Sequence, residues 1–438
     1  MRPATDSLPV AIIGAGPIGL AAGVHLAERG VPFVVLEAGG AAGATISEWG
    51  HVDLFSPWDH LIDGASERLL ATSGWAPPPA KHIPNGRELV DDYLLPLAGL
   101  LAPHVRCGTR VVAISRLGLD RTRTDGRAVA PFLLRLKTAD ATTDLHARAV
   151  IDASGSWSTP NGVTASGLGP TEEAAVASLL YGPLPDVRGT DRAEFVGRHT
   201  VVVGSGHSAA QTLLALAEVA RGDDATGNDD TTRITWVIRG AVPRQLFGNA
   251  DQTADELEAR GELGLRVQRL VTEGQITLVD RLAIRDVRRS PEGRAVVIGT
   301  RLGEELTIEA DRVVVSTGFR PDLSMLRELR VALDDAVEAP RLLAPLIDPA
   351  VHSCGTVEPH GVVELSHPEP DFYLAGVKSY GRAPTFLLKT GYEQVRSIAD
   401  ELAGNAGAAR RVQLVLPATG VCWQDRPARL IALGRESK

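Results

Sequence analysis

The sequence predicts an α/β protein with two domains built on parallel sheets, the second domain being inserted into the first. A short apolar strand, a glycine-rich turn and a helix occur in that order near the N-terminus, and the same order returns nearly 200 residues later. Both segments are typical of parallel βαβ units. A chain of 438 residues is also too long for one hydrophobic core and fits two domains.

The composition is that of an ordinary globular protein, with 44% hydrophobic and 23% charged residues. A net charge of −9 argues against nucleic acids and anionic membrane surfaces as partners. No apolar run approaches the roughly 20 residues of a membrane helix, and the N-terminal stretch lacks the pattern of a signal peptide, so we expect a cytoplasmic protein. Cys107, Cys354 and Cys422 are far apart and form no CxxC, so we predict neither a disulfide framework nor a metal site.

The first glycine-rich turn, residues 14–19, follows a β-branched strand and opens a helix. Gly14 permits the tight turn, Gly16 lets the backbone approach a pyrophosphate, and Gly19 lets the helix pack closely on the strand. The helix N-terminus favours the anion. The next apolar strand ends on Glu37, which is placed to accept hydrogen bonds from a ribose. This order predicts a Rossmann-like, dinucleotide-binding unit.

The second turn repeats the pattern with two changes. Its third glycine is replaced by Ala209, which is still small, and the following strand ends on Arg239 where the first copy has an acid. A guanidinium there suits a 2′-phosphate, which separates NADPH from NADH. The predicted NADPH ligands are the turn Gly204, Ser205, Gly206, His207 and Ser208, together with Arg239 and Arg244.

Three further segments, 149–155, 312–322 and 372–376, each join an apolar strand to a glycine. Together with the two turns they resemble the two-dinucleotide-binding-domain flavoproteins, which include thioredoxin-reductase-like enzymes and flavin-containing monooxygenases. The resemblance covers roughly residues 8–405. It implies FAD in the first site and NADPH in the second, with Gly318 at the return from the NADPH domain. The residues it assigns to FAD are Gly14, Gly16, Pro17, Ile18, Gly19, Glu37, Trp49, Gly155, Gly376, Thr390 and Gly391.

The same resemblance implies the domain boundaries. The FAD domain is discontinuous, with residues 1–160 and 315–405, and the NADPH domain spans 195–314. Residues 161–194, rich in glycine and proline, are predicted to form a loop, and 406–438 a C-terminal extension. Thr390 is predicted to open a helix whose positive end faces the flavin and stabilises its anionic reduced form.

Two departures from the resemblance bear on the chemistry. The redox CxxC or CxxxxC of disulfide reductases is absent, which disfavours a relay through paired thiols. Gly376 is followed by Val377 instead of the usual aspartate, as is typical of the monooxygenase branch. The monooxygenase signature, FxGxxxHxxx(Y/F/W), is not matched. The segment Phe195–His199 resembles its beginning but stands directly against the second turn instead of upstream of it.

Four residues are candidates for catalysis. His51 and Asp53 lie in an aromatic-rich segment after the first turn and are candidate proton carriers, or else belong to a structural loop. Lys378 is a candidate for stabilising the flavin, with a solvated loop charge as the alternative. Cys354, flanked by two histidines, is a candidate thiolate or an inert cysteine. The chain also resembles actinobacterial flavoproteins found with arsenic-resistance genes, which would make a trivalent arsenical a substrate and Cys354 its ligand.

Three functions remain open from the sequence. The first is a monooxygenase in which NADPH delivers hydride to FAD N5 and the reduced flavin activates O2 at C4a to oxygenate a small nucleophile at S, N or As. The second is an NADPH-dependent reductase of a thiol or quinone acceptor, and the third is a flavin-based redox sensor. The oligomeric state, for which a homodimer is one candidate, does not follow from the sequence.

Overall fold

The computed structural model describes residues 7–226, 231–241, 258–348 and 357–414. In chain order its strands are β1 (Val10–Ile13), β2 (Phe33–Leu36), β3 (Val105–Arg106), β4 (Arg110–Arg116), β5 (Phe132–Lys137), β6 (Thr142–Ala147), β7 (Ala149–Asp152), β8 (Leu180–Tyr181), β9 (His199–Val203), β10 (Arg233–Val237), β11 (Thr277–Val279), β12 (Leu282–Arg289), β13 (Ala295–Arg301), β14 (Glu304–Ala310), β15 (Arg312–Val315) and β16 (Phe372–Leu374).

Helices separate many of these strands, but no α-helix lies within the runs β3 to β7 and β11 to β15. The helices are α1 (Pro17–Glu28), α2 (Ala44–Glu48), α3 (Gly64–Ala71), α4 (Gly86–Glu88), α5 (Leu95–Leu100), α6 (Glu173–Val176), α7 (His207–Thr226), α8 (Glu258–Thr272), α9 (Ala344–Ile347), α10 (Leu388–Leu402) and α11 (Ala406–Ala409), with a π-helical stretch at Leu89–Leu94 between α4 and α5. Short 3₁₀ turns lie at Trp58–His60, Ala102–His104, Ala177–Leu179, Arg192–Glu194, Ser324–Leu326 and Gly376–Tyr380.

The first sheet has the strand order β16-β7-β1-β2-β3, and every neighbouring pair is parallel. Strands β1, β2 and β7 are buried along their whole length, as expected of a parallel sheet covered on both faces. Ile13 pairs with both Leu36 and Asp152, so the carboxyl ends of three adjacent strands meet at one edge. Ligands of α/β sheets bind at such an edge.

The second sheet has the order β11-β10-β9-β15-β8 and is also parallel. Its fully buried positions include Val202 and Trp236, which pack with α7 and α8 in a separate apolar core. The predicted α/β class with two parallel sheets is therefore confirmed. Helix α6, strand β8 and two 3₁₀ turns lie inside 161–194, so the prediction of a loop there was wrong at these points. Two consecutive residues add little apolar periodicity to a glycine- and proline-rich stretch, which is why the strand was missed.

Two antiparallel three-stranded sheets, β4-β5-β6 and β12-β13-β14, were not predicted from the sequence. Their strands alternate buried and exposed residues, as in β5, because one face packs inward and the other meets solvent. In the described part of the chain, no helix is long and apolar enough to cross a membrane.

Candidate functional site

The first glycine-rich turn connects β1 to α1 at the carboxyl edge of the first sheet. Gly14 has a φ of +97°, and a Cβ there would lie 2.8 Å from the carbonyl oxygen of Ala153. A Cβ at Gly19 would overlap the carbonyl oxygen of Gly14, so α1 can approach the turn only without a side chain there. In contrast, a Cβ at Gly16 would meet nothing within 4 Å. The open backbone at Gly16, next to the start of α1 at Pro17, fits a bound pyrophosphate.

The carboxylate of Glu37 holds this turn from the end of β2. Its Oε2 accepts a hydrogen bond from the backbone N–H of Ala15 at 2.7 Å, and its Oε1 accepts one from Gly39 at 2.7 Å. A carboxylate has about four lone-pair positions, so both oxygens can accept further bonds. Glu37 is therefore fixed beside the turn with acceptor capacity left for ribose hydroxyls.

Ile18 on α1 brings three predicted FAD residues together. Gly376 has a φ of +67°, and a Cβ there would lie 3.1 Å from Ile18 Cγ1. A Cβ at Gly391 would lie 2.5 Å from Ile18 Cδ1, so both glycines permit close packing around this side chain. Helix α10 begins at Leu388, two residues before the predicted start at Thr390, because Leu388 and Lys389 are themselves good helix formers.

Lys378 is buried in an ion pair with Asp152. Its Nζ lies 2.7 Å from Asp152 Oδ2, and both residues are 0% exposed. The pair joins the end of β7 to the 3₁₀ turn after β16, beside Ser154 and Gly155. Sequence reasoning singled out Lys378 but missed Asp152, although an aspartate at the end of an apolar strand was a visible signal.

Gln394 on α10 fixes the turn that contains Gly376. Its Oε1 accepts from the backbone N–H of Gly376 at 2.8 Å, and its Nε2 donates to Ser379 Oγ at 2.9 Å. The same amide nitrogen lies 2.8 Å from His360 Nε2. Burial lowers the pKa of His360, and the neutral ring can accept this bond while its Nδ1 donates to the carbonyl oxygen of Glu358 at 3.0 Å. None of this network was predicted.

The second glycine-rich turn repeats the first at the carboxyl edge of the second sheet. Gly204 has a φ of +136°, and a Cβ there would overlap the carbonyl oxygen of Ser316. Trp236 supports the turn from β10, its Nε1 donating to the carbonyl oxygen of Gly204 at 2.7 Å. A Cβ at Gly206 would meet nothing within 4 Å, so the backbone is again open where α7 begins at His207. The turn fits a second pyrophosphate. Ser205 and Ser208 flank Gly206 and His207 in the sequence of this turn.

The predicted phosphate ligand Arg239 lies just beyond the end of β10. Its guanidinium is exposed and donates to the carbonyl oxygen of Ala165 at 3.3 Å, a contact that leaves most of its five N–H groups available. Gly318 follows β15 with a φ of +87°, near the amide of Asn161, which donates to the carbonyl oxygen of Thr317 at 3.1 Å. Arg244 lies outside the described residues.

The segment that contains His51 and Asp53 contacts the second domain. The carbonyl oxygen of Asp53 accepts from Gln211 Nε2 on α7 at 2.7 Å, while its side chain is exposed. The ring of Phe55 lies 4.9 Å from that of His207, at the start of α7. His51 lies near Asp186; burial raises the pKa of Asp186, but hydrogen bonds from Thr190 and the charge of His51 outweigh it and lower that pKa.

An aromatic cluster covers the point where the two domains join. The ring of Trp157 lies 5.0 Å from Phe319 and 6.2 Å from Trp49, the predicted FAD residue. Trp157 Nε1 donates to the exposed carboxylate of Glu48 at 2.7 Å. All three rings are partly exposed, so this surface is available to a ligand. Only Trp49 was predicted, although Trp157 and Phe319 stand directly after the two strand-to-glycine motifs.

Thiol and metal chemistry have little support among the described residues. Cys107 is an exposed residue. Partial burial of its sulfur and the nearby carboxylate of Glu37 both raise the pKa of its thiol. A raised pKa leaves little thiolate at neutral pH. No group of His, Cys, Asp and Glu side chains in the described ranges could hold a metal ion. Cys354 lies outside those ranges.

Comparisons with known proteins agree with this architecture. The model of the pyridine nucleotide-disulphide oxidoreductase family matches residues 11–122. A ferredoxin–NADP reductase from Thermus thermophilus is 25% identical over 359 residues, which cover 81% of this chain and 86% of that protein.

Solved structures share the fold over most of the chain. Bacillithiol disulfide reductase from Bacillus cereus has a TM-score of 0.64 at 20% identity, covering 91% of this chain and 99% of its own. A flavin monooxygenase from Stenotrophomonas maltophilia, solved as a double mutant, has a TM-score of 0.56 at 24% identity, with 91% and 99% covered. With its two glycine-rich turns on two parallel sheets, the chain has the fold of these reductases and flavin monooxygenases.

Proposed function

We propose that this protein is an NADPH-dependent FAD oxidoreductase that oxygenates a small nucleophile at S, N or As. The observation that carries the proposal is the asymmetry of the two turns. The first is bordered by Glu37, which suits a ribose, and the second by Arg239, which suits a 2′-phosphate. Relatives that use FAD and NADPH point to the same two cofactors for this chain.

The residues of the first site would hold FAD by its polar groups. The backbone at Gly16 and the N-terminus of α1 face the pyrophosphate, and Glu37 accepts from the adenosine ribose. The N-terminus of α10 supplies a positive helix end near Gly391. Bound FAD would supply a two-electron acceptor for hydride, and in its reduced form a donor to O2 or to another acceptor.

The residues of the second site would orient the hydride donor. The backbone at Gly206 and the N-terminus of α7 face the NADPH pyrophosphate, and Arg239 binds the 2′-phosphate. The partly exposed cluster of Trp49, Trp157 and Phe319 lies where the two domains join, and we propose that it lines the substrate entrance. Its aromatic faces exclude water and tolerate a soft, polarisable group.

Oxygenation is favoured over disulfide reduction by the cysteines. The chain has no CxxC, and the raised pKa of the Cys107 thiol makes that group a poor nucleophile. A reductase of small thiol or quinone acceptors that needs no protein thiol is the second candidate, since the fold is shared with a bacillithiol disulfide reductase.

The test begins with the visible spectrum of the purified protein and its reconstitution with FAD. NADPH consumption is then followed with thioethers, amines and trivalent arsenicals on one side, and disulfides and quinones on the other. The proposal expects O2 uptake equal to NADPH consumed, together with an oxygenated product. NADPH consumption matched by reduction of a disulfide or quinone, without O2 uptake, would establish the reductase instead. Flavin that is reduced only once, without turnover on any acceptor, would favour the redox sensor.

A further inference from the structure

Asp152, Ser154 and Lys378 form a closed group joined by hydrogen bonds and one ion pair, called here the β7 triad. In addition to its ion pair with Asp152, Lys378 Nζ donates to Ser154 Oγ at 2.9 Å. The hydroxyl of Ser154 in turn donates to Asp152 Oδ1 at 2.7 Å, and its backbone N–H donates to the same oxygen at 3.2 Å. Each member of the triad therefore fixes the position of the other two.

The β7 triad lies directly behind the first dinucleotide site. Asp152 ends β7 and Lys378 follows β16, two adjacent strands whose carboxyl ends share the ligand-binding edge of the sheet. Asp152 and Lys378 are both 0% exposed, whereas Ser154 is exposed. A Cβ added at Gly14 would lie 3.0 Å from the Cα of Ser154. Ser154 thus connects two buried charges to the turn that faces the pyrophosphate.

The stability of the fold alone does not explain such a pair. Moving two charges out of water costs several kcal/mol for each ion, and well-packed apolar residues are often as stable in the same place. Lys378 Nζ pairs with Asp152 and donates to Ser154. A hydrogen bond from Ser324 and, in addition, the charge of Lys378 lower the pKa of Asp322. The two opposite charges cancel at a distance, and removal of either one leaves a full charge in a region of low dielectric constant.

We propose that the β7 triad positions the exit turn of β7 for FAD and balances the charge beside it, so that the redox potential of the flavin depends on both Lys378 and Asp152. This inference rests on the proposed FAD site. Lys378 and Asp152 are positioning residues in this scheme, because they act on the cofactor through Ser154 and through space.

The experiment measures the midpoint potential of the bound flavin at about pH 7 in Lys378→Met, Asp152→Asn and the double variant. Lys378→Met leaves a carboxylate that disfavours the added negative charge of reduced flavin, so its potential is expected to fall. Asp152→Asn leaves an ammonium that favours that charge, so its potential is expected to rise. The double variant is expected to return close to the wild-type potential. Ser154→Ala keeps both charges and is expected to weaken FAD binding about tenfold through the loss of its hydrogen bonds.

Glu369→Gln is the control for removal of a buried carboxylate elsewhere in the fold, because Glu369 is equally buried and pairs with Arg116 and Arg127; it is compared under conditions in which the variant remains folded. Glu369 precedes β16 whereas Lys378 follows it, so the flavin potential is expected to be unchanged in the control. Shifts of the same sign in both single variants, or no shift in either with FAD bound, would overturn the inference. A single variant that fails to fold leaves the double variant and Ser154→Ala to decide, since unchanged FAD affinity in Ser154→Ala also contradicts it. Absence of FAD binding by the wild-type protein would refute the proposed function instead.

Discussion

Gly204 and Gly206 stand two residues apart in the second turn, yet a side chain would meet different surroundings at each. At Gly204 a Cβ would overlap the carbonyl oxygen of Ser316, and the φ of +136° is rare for any other residue. At Gly206 a Cβ would enter open space. The first glycine is therefore required by the fold and the second by the proposed nucleotide.

We expect Gly204→Ala to destabilise the protein by roughly 3 kcal/mol, since it combines backbone strain with a steric overlap. Gly206→Ala should change the free energy of unfolding by no more than about 0.5 kcal/mol and still raise the KM for NADPH, because its methyl group occupies the space of the pyrophosphate. Urea unfolding and steady-state kinetics of the two variants check this. Equal stability of both variants would contradict it.

At Arg239 the expected effect is on the choice of nucleotide. Loss of a charge-assisted contact with the 2′-phosphate in Arg239→Gln should cost about 2 kcal/mol, or about thirtyfold in KM for NADPH. The KM for NADH should change little, because that nucleotide has no 2′-phosphate. The conservative variant Arg239→Lys keeps the charge, so its KM for NADPH should lie between those of the wild type and Arg239→Gln. Parallel loss with both nucleotides would argue against this role.

At the scale of elements, one buried carboxylate connects the antiparallel sheet of β4, β5 and β6 to the start of β16. Glu369 accepts from Arg116 Nε at 2.8 Å, from Arg127 Nη2 at 2.7 Å and from the backbone N–H of Arg330 at 3.0 Å. The guanidinium of Arg116 also lies 3.6 Å above the ring centre of Phe132. One side chain thus joins three segments that are far apart in sequence.

Glu369→Gln should destabilise the protein by about 3–5 kcal/mol, because two buried guanidinium groups lose their counterion. Burial raises the pKa of Glu369, but the hydrogen bonds from Arg127, Arg330 and Arg116 outweigh it and hold that pKa below its usual 4.5. The resulting stability is therefore present above pH 4.5 and is lost as the pH falls through the lowered pKa. Unfolding midpoints at neutral and acidic pH should show a large gap between wild type and variant that closes in acid.

The sequence predicted the elements that follow strict local rules and missed those that depend on distant partners. The two glycine turns could be located because the backbone at Gly14 and Gly204 needs a conformation that glycine adopts easily. The pairing of Asp152 with Lys378 spans more than 220 residues and becomes visible only when β16 lies beside β7. Strand β8 has two residues, too few for any periodicity to appear.

At the scale of the whole molecule, we expect one buried and two partly buried histidines to make the fold sensitive to acid. Burial lowers the pKa of His367 to about 4, and burial likewise lowers the pKa of His199 and of His360. The folded protein keeps these rings neutral, whereas the unfolded chain takes up protons near pH 6.5. Their contribution is fully present above pH 6.5 and is lost as the pH falls toward 4.

For His367 this loss amounts to roughly 3 kcal/mol. His367→Gln should therefore flatten the dependence of the unfolding free energy on pH between 6.5 and 4, since glutamine can still accept from the backbone N–H of Ala332. Chemical denaturation across this range measures the slope. An unchanged slope in the variant would show that other groups dominate acid unfolding.

The contact of Phe55 with His207 connects the occupancy of one domain to the geometry of the other. Phe55 belongs to the segment after the first turn, and His207 begins the helix at which the second nucleotide is proposed to bind. We expect a nucleotide at that helix end to compete with the ring contact, so that nucleotide binding and the loosening of the contact are coupled equilibria. Reciprocity then requires that the factor by which bound nucleotide weakens the contact equals the factor by which the formed contact weakens nucleotide binding. We therefore expect the segment after the first turn, which contacts α7 through Phe55 and through the carbonyl oxygen of Asp53, to respond to nucleotide binding in the second domain.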